Sequence, residues 1–365
     1  MKKLFGLFLA AVMLSLAGCS EGSPVPEGTT SGAQSGTSVV SSGQTAKKDQ
    51  NLNPLTGEYN LKDRAVGKRP VSVMVNNIKK AWPQYGLGSA DICYEIVVEG
   101  GITRIMAVFA DYQSMPKIGS VRSVRHYYTD CSYPLNTLFV HWGGSDPGYD
   151  ALKDRGIDNI DGMALSKTAF VRDEQLKKQK GQEFSNFTSG ELVQKGIDKK
   201  KYDVNGKPDP GFRFAPEGGI KGDTAATEVT VKFSGYATAY FDYDAESGKY
   251  LKSEALTSKS NKLNYKEKQI DQNDGKQIAV DNVFILFADV HQYPGSSVLM
   301  DVNYQKGGSG YYISGGTRTD FTWSKPSYKS PFEFKKSDGS ELQVNPGKSW
   351  VCIVSDNMIA STTMK

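Results

Sequence analysis

The sequence predicts an α/β N-terminal domain followed by a mostly antiparallel all-β C-terminal domain. Three observations carry this. Up to about residue 200, apolar runs alternate with capped helical stretches, the pattern of an α/β fold. Residues 201–224 then hold three Pro and five Gly, which reads as a linker. Beyond Ala225 the apolar positions recur at period two, and no stretch there reads as a helix. At 365 residues the chain is long enough for two cores. Its 38% apolar and 11% aromatic content excludes a collagen-like or wholly disordered chain.

In chain order, order is expected from residue 53, and Pro70–Asn77 is an apolar, β-branched run that reads as a buried strand. Ser89 is a good N-cap for a helix over Ala90–Val98, with Ile92, Cys93, Ile96 and Val97 inward and Gly100-Gly101 as its stop. Thr103–Ala110 predicts a second strand, and Ser120 a helix through Val121, Val124 and Tyr128 that ends before Pro134. Thr137–Trp142 predicts a third strand, broken by Gly143-Gly144. Ser145-Asp146-Pro147 then opens a capped helix that Gly156 stops. An amphipathic helix over Gly190–Gly196 closes the first domain near residue 200. In the second domain, 225–365, Glu228–Phe233, Ala239–Tyr243, Val298–Val302 and Phe321–Trp323 alternate, while Asn282–Val290 is nearly continuous in apolar residues. Ser247-Gly248 and Asp338-Gly339 read as hairpin turns.

Lys2-Lys3, an apolar run from Leu4 to Leu16 and then Ala17-Gly18-Cys19 form a secretory signal over residues 1–18. Leu16-Ala17-Gly18-Cys19 also resembles the bacterial lipobox, which implies cleavage before Cys19 and a lipid on its sulfur. Residues 19–52 then make a lipidated cysteine and a flexible tether, since about thirty Gly/Ser-rich residues span on the order of 30 Å. The expected partner is a membrane, reached through the lipid on Cys19 from the extracytoplasmic face. Removal of Lys2 and Lys3 leaves 42 basic against 40 acidic residues, with no clustered basic face, so no nucleic-acid partner is expected. Cys93, Cys131 and Cys352 include no CxxC and no histidine at ligand spacing. They read as buried free thiols with no metal site, and a Cys93–Cys131 disulfide stays open. Gly307-Gly308-Ser309-Gly310 and Gly315-Gly316 are hairpin turns and not a phosphate loop, so no cofactor is expected.

Chemistry concentrates between Ala90 and Asp146. Asp91, Glu95 and Glu99 fall at i, i+4 and i+8, one acidic stripe on a helix: a cation or acid/base site, a solvated face, or partners for nearby arginines. Arg122, Arg125 and His126 would share a face at the start of the helix begun by Gly119-Ser120, where backbone N–H groups favour an anion, with Arg104 as a third arm. Internal pairing of Arg122 or Arg125 with Glu95 or Glu99 competes with that reading. His141 ends a strand where open α/β sheets place ligands. Ser145 next to it lacks a G-x-S-x-G elbow and reads as a helix cap.

RPVSVMVNN, ADICYEIVVEGGITRIMAVF, IGSVRSVRHYYTD, FVHWGGS, NIDGM and the later FTWSKPS resemble the YerB-like lipoproteins of Gram-positive bacteria, over almost all of the chain after the tether. The resemblance implies two domains, attachment outside the cytoplasmic membrane, and no established activity. Members often carry Ala-Pro-His-Asn before a Tyr-Thr. Here the matching region reads Glu183-Phe184-Ser185-Asn186-Phe187-Thr188, without the histidine, which favours binding over turnover. The expected function is a membrane-anchored lipoprotein that binds an anionic envelope ligand through Arg104, Arg122, Arg125, His126, His141, Glu95 and Glu99. The alternatives are a hydrolase or transferase acting on cell-wall polymer, and a protein-interaction scaffold in the envelope. An open cleft lined by Glu95, Arg122 and His141 would favour the first two; internal Arg–Glu pairing would favour the scaffold.

Overall fold

The computed structural model describes residues 51–216, 219–257 and 265–365. The signal segment, Cys19 and nearly all of the tether lie outside the described residues. Ten strands of one large sheet organise the rest. Five come from the first half: β1 (Val71–Asn76), β2 (Ile92–Val97), β3 (Thr103–Phe109), β4 (Leu138–His141) and β5 (Asn159–Asp161). The second half supplies β6 (Glu228–Lys232), β7 (Ala237–Asp244) and β8 (Lys249–Leu256) to a smaller sheet, and β9 (Asn282–Gln292), β10 (Gly308–Ser314), β11 (Thr317–Ser324) and β12 (Ser349–Ser355) to the large one. Across the large sheet the order is Thr224–Ala225, β11, β10, β9, β12, β2, β3, β1, β4, β5.

The two halves share this sheet because β12 pairs in parallel with both β9 and β2. β3 runs antiparallel to its neighbours β2 and β1, and β4 and β5 continue from β1 in parallel. Six strands, β9, β12, β2, β1, β4 and β5, therefore end at the same edge. Carboxyl ends of parallel strands are where α/β sheets hold ligands.

Both faces of the sheet are covered. On one, Val73, Val75, Cys93, Ile285, Trp350 and Cys352 pack against Val229, Phe241 and Tyr250 of the smaller antiparallel sheet. On the other, Met74, Tyr94, Ile96, Met106 and Phe284 meet Tyr127 and Tyr128 of helix α1 (His126–Ser132). Helix α2 (Asp146–Asp154) begins at Ser145, whose hydroxyl accepts from Gly148 N at 3.3 Å, as its sequence predicts. The residues 201–224 read as a linker are held in place instead. Phe212 is buried and stacks on Phe284 at 5.0 Å, and Arg213–Phe214 pairs with Gln343–Val344.

Two predicted helices take other forms. The stretch Ala90–Val98 forms strand Ile92–Val97 instead, because Ile92, Tyr94 and Ile96 enter one core while Cys93 enters the other and Glu95 shares its side; a helix would expose part of that surface. The acidic stripe of Asp91, Glu95 and Glu99 therefore does not form. The helix from Ser120 starts only at His126, since the extended segment before it spends its backbone groups on the sheet. Asn76 N donates to Ser120 O at 3.0 Å, Arg122 N to Met74 O at 2.9 Å and Trp142 N to Arg122 O at 3.0 Å. Cys93, Cys131 and Cys352 are buried free thiols, and Cys93 and Cys131 lie in the cores on opposite faces of the sheet.

Candidate functional site

Six of the seven predicted site residues gather around the edge where the parallel strands end; Glu95 does not. Glu99 lies in the turn between β2 and β3, Arg104 opposite Asn76 in the β1–β3 register, and His141 at the end of β4. Arg122 and Arg125 lie on the extended segment that crosses between β1 and β4, and His126 opens α1. Glu95 sits in mid-strand between Ile105 and Cys352 and points into the core beneath the smaller sheet. Arg104 and His141 lie two residues from Met106 and Phe139 on their strands, share that face, and so face away from Glu95. The sheet itself separates Glu95 from His141, and the cleft shared by Glu95, Arg122 and His141 is absent.

Glu99 is the hub of the arginine cluster. It accepts from Arg125 Nε and faces Arg104 Nη2 at 3.8 Å. Arg104 is 3% exposed and also donates to Ser123 O at 2.7 Å, while Arg125 donates to Val124 O at 2.7 Å. Burial pushes the Glu99 carboxyl up, but Arg125 and Arg104 outweigh it and hold it below the ordinary carboxylate range. Burial, with Arg125 alongside, lowers the Arg104 guanidinium to about 10. A carboxylate between two enclosed guanidiniums is an internal ion pair network. It leaves Arg104 and Arg125 little capacity for an outside anion.

Arg122 differs. Its side chain is 26% exposed, and among the described residues its one ion pair is to the exposed Glu183 at 3.3 Å and its buried Nε has no hydrogen-bond partner. Asn76 Nδ2 and Ser120 Oγ, at the same strand end, are also buried and unpartnered. Nearby, Arg172 lies over the Trp142 ring at 5.6 Å and donates to Asn186 Oδ1 at 3.1 Å, while Asn186 O accepts from Val121 N at 2.8 Å. Glu183, Ser185 and Asn186 belong to the segment that departs from the Ala-Pro-His-Asn pattern, so that segment lies against Arg122. In the sequence Arg172 is a polar loop residue that could complete a site or serve only the surface turn, and the fold brings it beside Trp142.

The histidines go separate ways. His126 Nε2 meets Asp301 Oδ1 at 2.7 Å, and this bond holds the Asp301 carboxyl below its ordinary range. His141 is fully buried, with Nδ1 2.8 Å from Gly143 O and Nε2 3.2 Å from Asn159 Oδ1. Asp161 caps the next turn by accepting from Gly143 N and Met163 N. Five surface clefts of roughly 240–390 Å³ lie elsewhere, and none is lined by the seven residues. Among the described residues, no group of three or more His, Cys, Asp or Glu side chains is placed to hold a metal ion.

Residues 55–203 match the N-terminal domain of DUF3048, a protein family of unknown function, and residues 229–351 match its C-terminal domain. The chain belongs to this family. It is 28% identical over 312 residues to YerB of Bacillus subtilis (strain 168), a protein whose name calls it a lipoprotein; the match covers 84% of this chain and 87% of that one. The crystal structure of YerB protein from Bacillus subtilis superposes with a TM-score of 0.73 at 27% identity, covering 87% of this chain and 100% of the other. The expected YerB-like family and two-domain architecture are therefore found. The boundary between the two DUF3048 domains falls between residues 203 and 229, on the segment pinned by Phe212.

Proposed function

We propose that the protein is a lipid-anchored lipoprotein on the extracytoplasmic face of the membrane that binds, without turnover, an anionic envelope group such as a cell-wall carboxylate or phosphodiester. The state of Arg122 carries this reading. It alone of the three candidate arginines combines partial exposure, an unpartnered Nε and a single counter-ion that is itself exposed. Arginine forks suit carboxylate and phosphate, and Arg172 beside Trp142 supplies a second positive charge. Binding without turnover fits the separation of Glu95 from His141 by the sheet, which leaves no acid/base pair across a shared cleft. The lipid on Cys19 rests on the signal sequence and on the name of the Bacillus relative.

The test is thermal melting of the full chain in detergent against muropeptides, glycerol-phosphate oligomers and inorganic phosphate. A ligand at a hundred times its Kd adds about 2.7 kcal/mol. The expected result is a shift with an anionic ligand that disappears in Arg122→Ala, a variant whose own melting changes little. A shift unchanged in Arg122→Ala, or no shift with any anion, would refute it. A second reading, a protein-interaction surface, is favoured by the internal pairing of Glu99 with Arg104 and Arg125, by the absent cleft, and by Met163, 67% exposed, and the exposed Tyr149, both beside the Gly143-Gly144 turn. Crosslinking from that patch in membranes checks it.

A further inference from the structure

A second polar cluster, which the anion site does not use, is buried between the large sheet and the smaller one. Lys252 and Glu254 on β8 and Glu95 on β2 have side chains with 0% exposure, and Asn77, just past β1, is equally buried. Lys252 Nζ lies 2.9 Å from Glu254 Oε2 and 3.3 Å from Glu95 Oε2. Asn77 Nδ2 donates to the same Glu254 Oε2 at 3.0 Å and to Glu95 Oε1 at 3.0 Å. The lysine amine and the carboxamide nitrogen thus sit side by side on one carboxylate oxygen. On its other side, Asn77 Oδ1 receives three N–H groups: Gln84 Nε2 at 2.7 Å, Gln269 Nε2 at 3.1 Å and Trp82 Nε1 at 3.3 Å.

This arrangement exceeds what a structural ion pair requires. It contains a nucleophile, two carboxyl groups to move protons, a leaving nitrogen held by those carboxyls, and donors aimed at the oxygen where charge would develop during acyl transfer. The Trp350 and Phe241 rings lie 4.7 and 5.7 Å from Nζ, so the amine is enclosed by aromatic faces and water has little access. Burial and Glu95 beside it push the Glu254 carboxyl up, which suits it to hand a proton to the leaving nitrogen. Burial pulls Lys252 down, but Glu254 and Glu95 outweigh it, so the amine rests protonated with a carboxylate in reach to deprotonate it.

We propose that Lys252 and Asn77 become joined by an amide bond formed within the folded chain, with release of ammonia. Lys252 Nζ passes one proton to Glu95, and the free amine attacks Asn77 Cγ. The negative charge on Oδ1 is met by Gln84, Gln269 and Trp82. The Cγ–Nδ2 bond then breaks, and Nδ2 leaves as ammonia with a proton from Glu254, which recovers one from the newly bonded Nζ. The proton first given up stays on Glu95, so atoms and charge balance with no oxidant, metal or other reactant. Holding both reacting groups on the same Glu254 Oε2 replaces a bimolecular encounter. The product ties the end of β1, in the N-terminal DUF3048 domain, to β8 in the C-terminal one. A covalent tie across the two halves suits a protein outside the cell, where proteolysis and unfolding are not repaired.

The test is peptide mapping by tandem mass spectrometry on the purified full chain, denatured before trypsin digestion. The expected result is one branched peptide carrying both Asn77 and Lys252, lighter than its two parts by one ammonia, with no cleavage after Lys252. Glu254→Gln keeps the shape and removes the acid, and should yield the two separate peptides from a protein with wild-type circular dichroism. If that variant does not fold, the wild-type map decides alone. Separate, unmodified Asn77 and Lys252 peptides from folded wild-type protein, after prolonged incubation, would overturn the proposal. So would a link from Lys252 to Glu95 or Glu254 with loss of water.

Discussion

Glu99→Gln isolates the arginine cluster and can be worked through from its geometry. The substitution keeps size and removes the one carboxylate that faces both Arg104 and Arg125, whose side chains are 4% and 11% exposed. Removing one partner of a buried pair costs about 3–5 kcal/mol, because the remaining charge has neither water nor counter-ion. Glu99 itself is 23% exposed, so water can partly take its place, and the lower end, about 3 kcal/mol, applies. For a chain of this size that is a fall in melting temperature of about 4 °C. The pH dependence has a definite sign. The Glu99 carboxyl is held below the roughly 4.3 of an unfolded glutamate. Its stabilisation is therefore complete above that value and is lost as pH falls through the lower folded value. Differential scanning calorimetry of wild type and Glu99→Gln from pH 7 downward should show the gap closing only in acid. An unchanged melting temperature at pH 7, or a gap that persists unaltered in acid, would refute the internal-pair reading and return Arg104 and Arg125 to the list of free anion ligands.

Asp301→Ala should lower stability by about 1 kcal/mol at neutral pH, because it removes the partner of His126 from a partly exposed pair. Asp301 is held low by that bond, so urea titrations should show the difference fading as pH drops below the ordinary aspartate range. Cys93, Cys131 and Cys352 should resist iodoacetamide in the native protein and react after unfolding, as peptide mapping would show. Burial pushes all three thiols up, Cys131 to about 12. Gly190→Ala would place a methyl 2.3 Å from the Tyr112 backbone oxygen at the start of Gly190–Lys200, and should cost about 2 kcal/mol in chemical denaturation.

Local signals reached most strands and the caps. β1, β3, β4 and β9 follow apolar, β-branched runs between turn formers, and Ser145 caps α2 through a contact three residues away. The failure at Ala90–Val98 has a physical cause. A strand buried on both faces shows no alternation, and three acids at spacing four mimic a helix stripe. Nothing local distinguishes Glu95, whose partners Lys252 and Trp350 come from strands far along the chain. The helix expected from Ser120 failed likewise, because its first residues are claimed by backbone groups of β1 and β4.

The sequence by itself determined the class of fold, the two halves, and the stretch near the strand ends where charged residues collect, since these depend on composition and short-range pattern. Tertiary structure alone decided which charges are consumed. It placed Glu99 between Arg104 and Arg125, left Arg122 with a single exposed partner, put the sheet between Glu95 and His141, and enclosed Lys252 with Asn77. Such pairings depend on strand register and on which face each side chain takes, and a one-residue slip reverses every face.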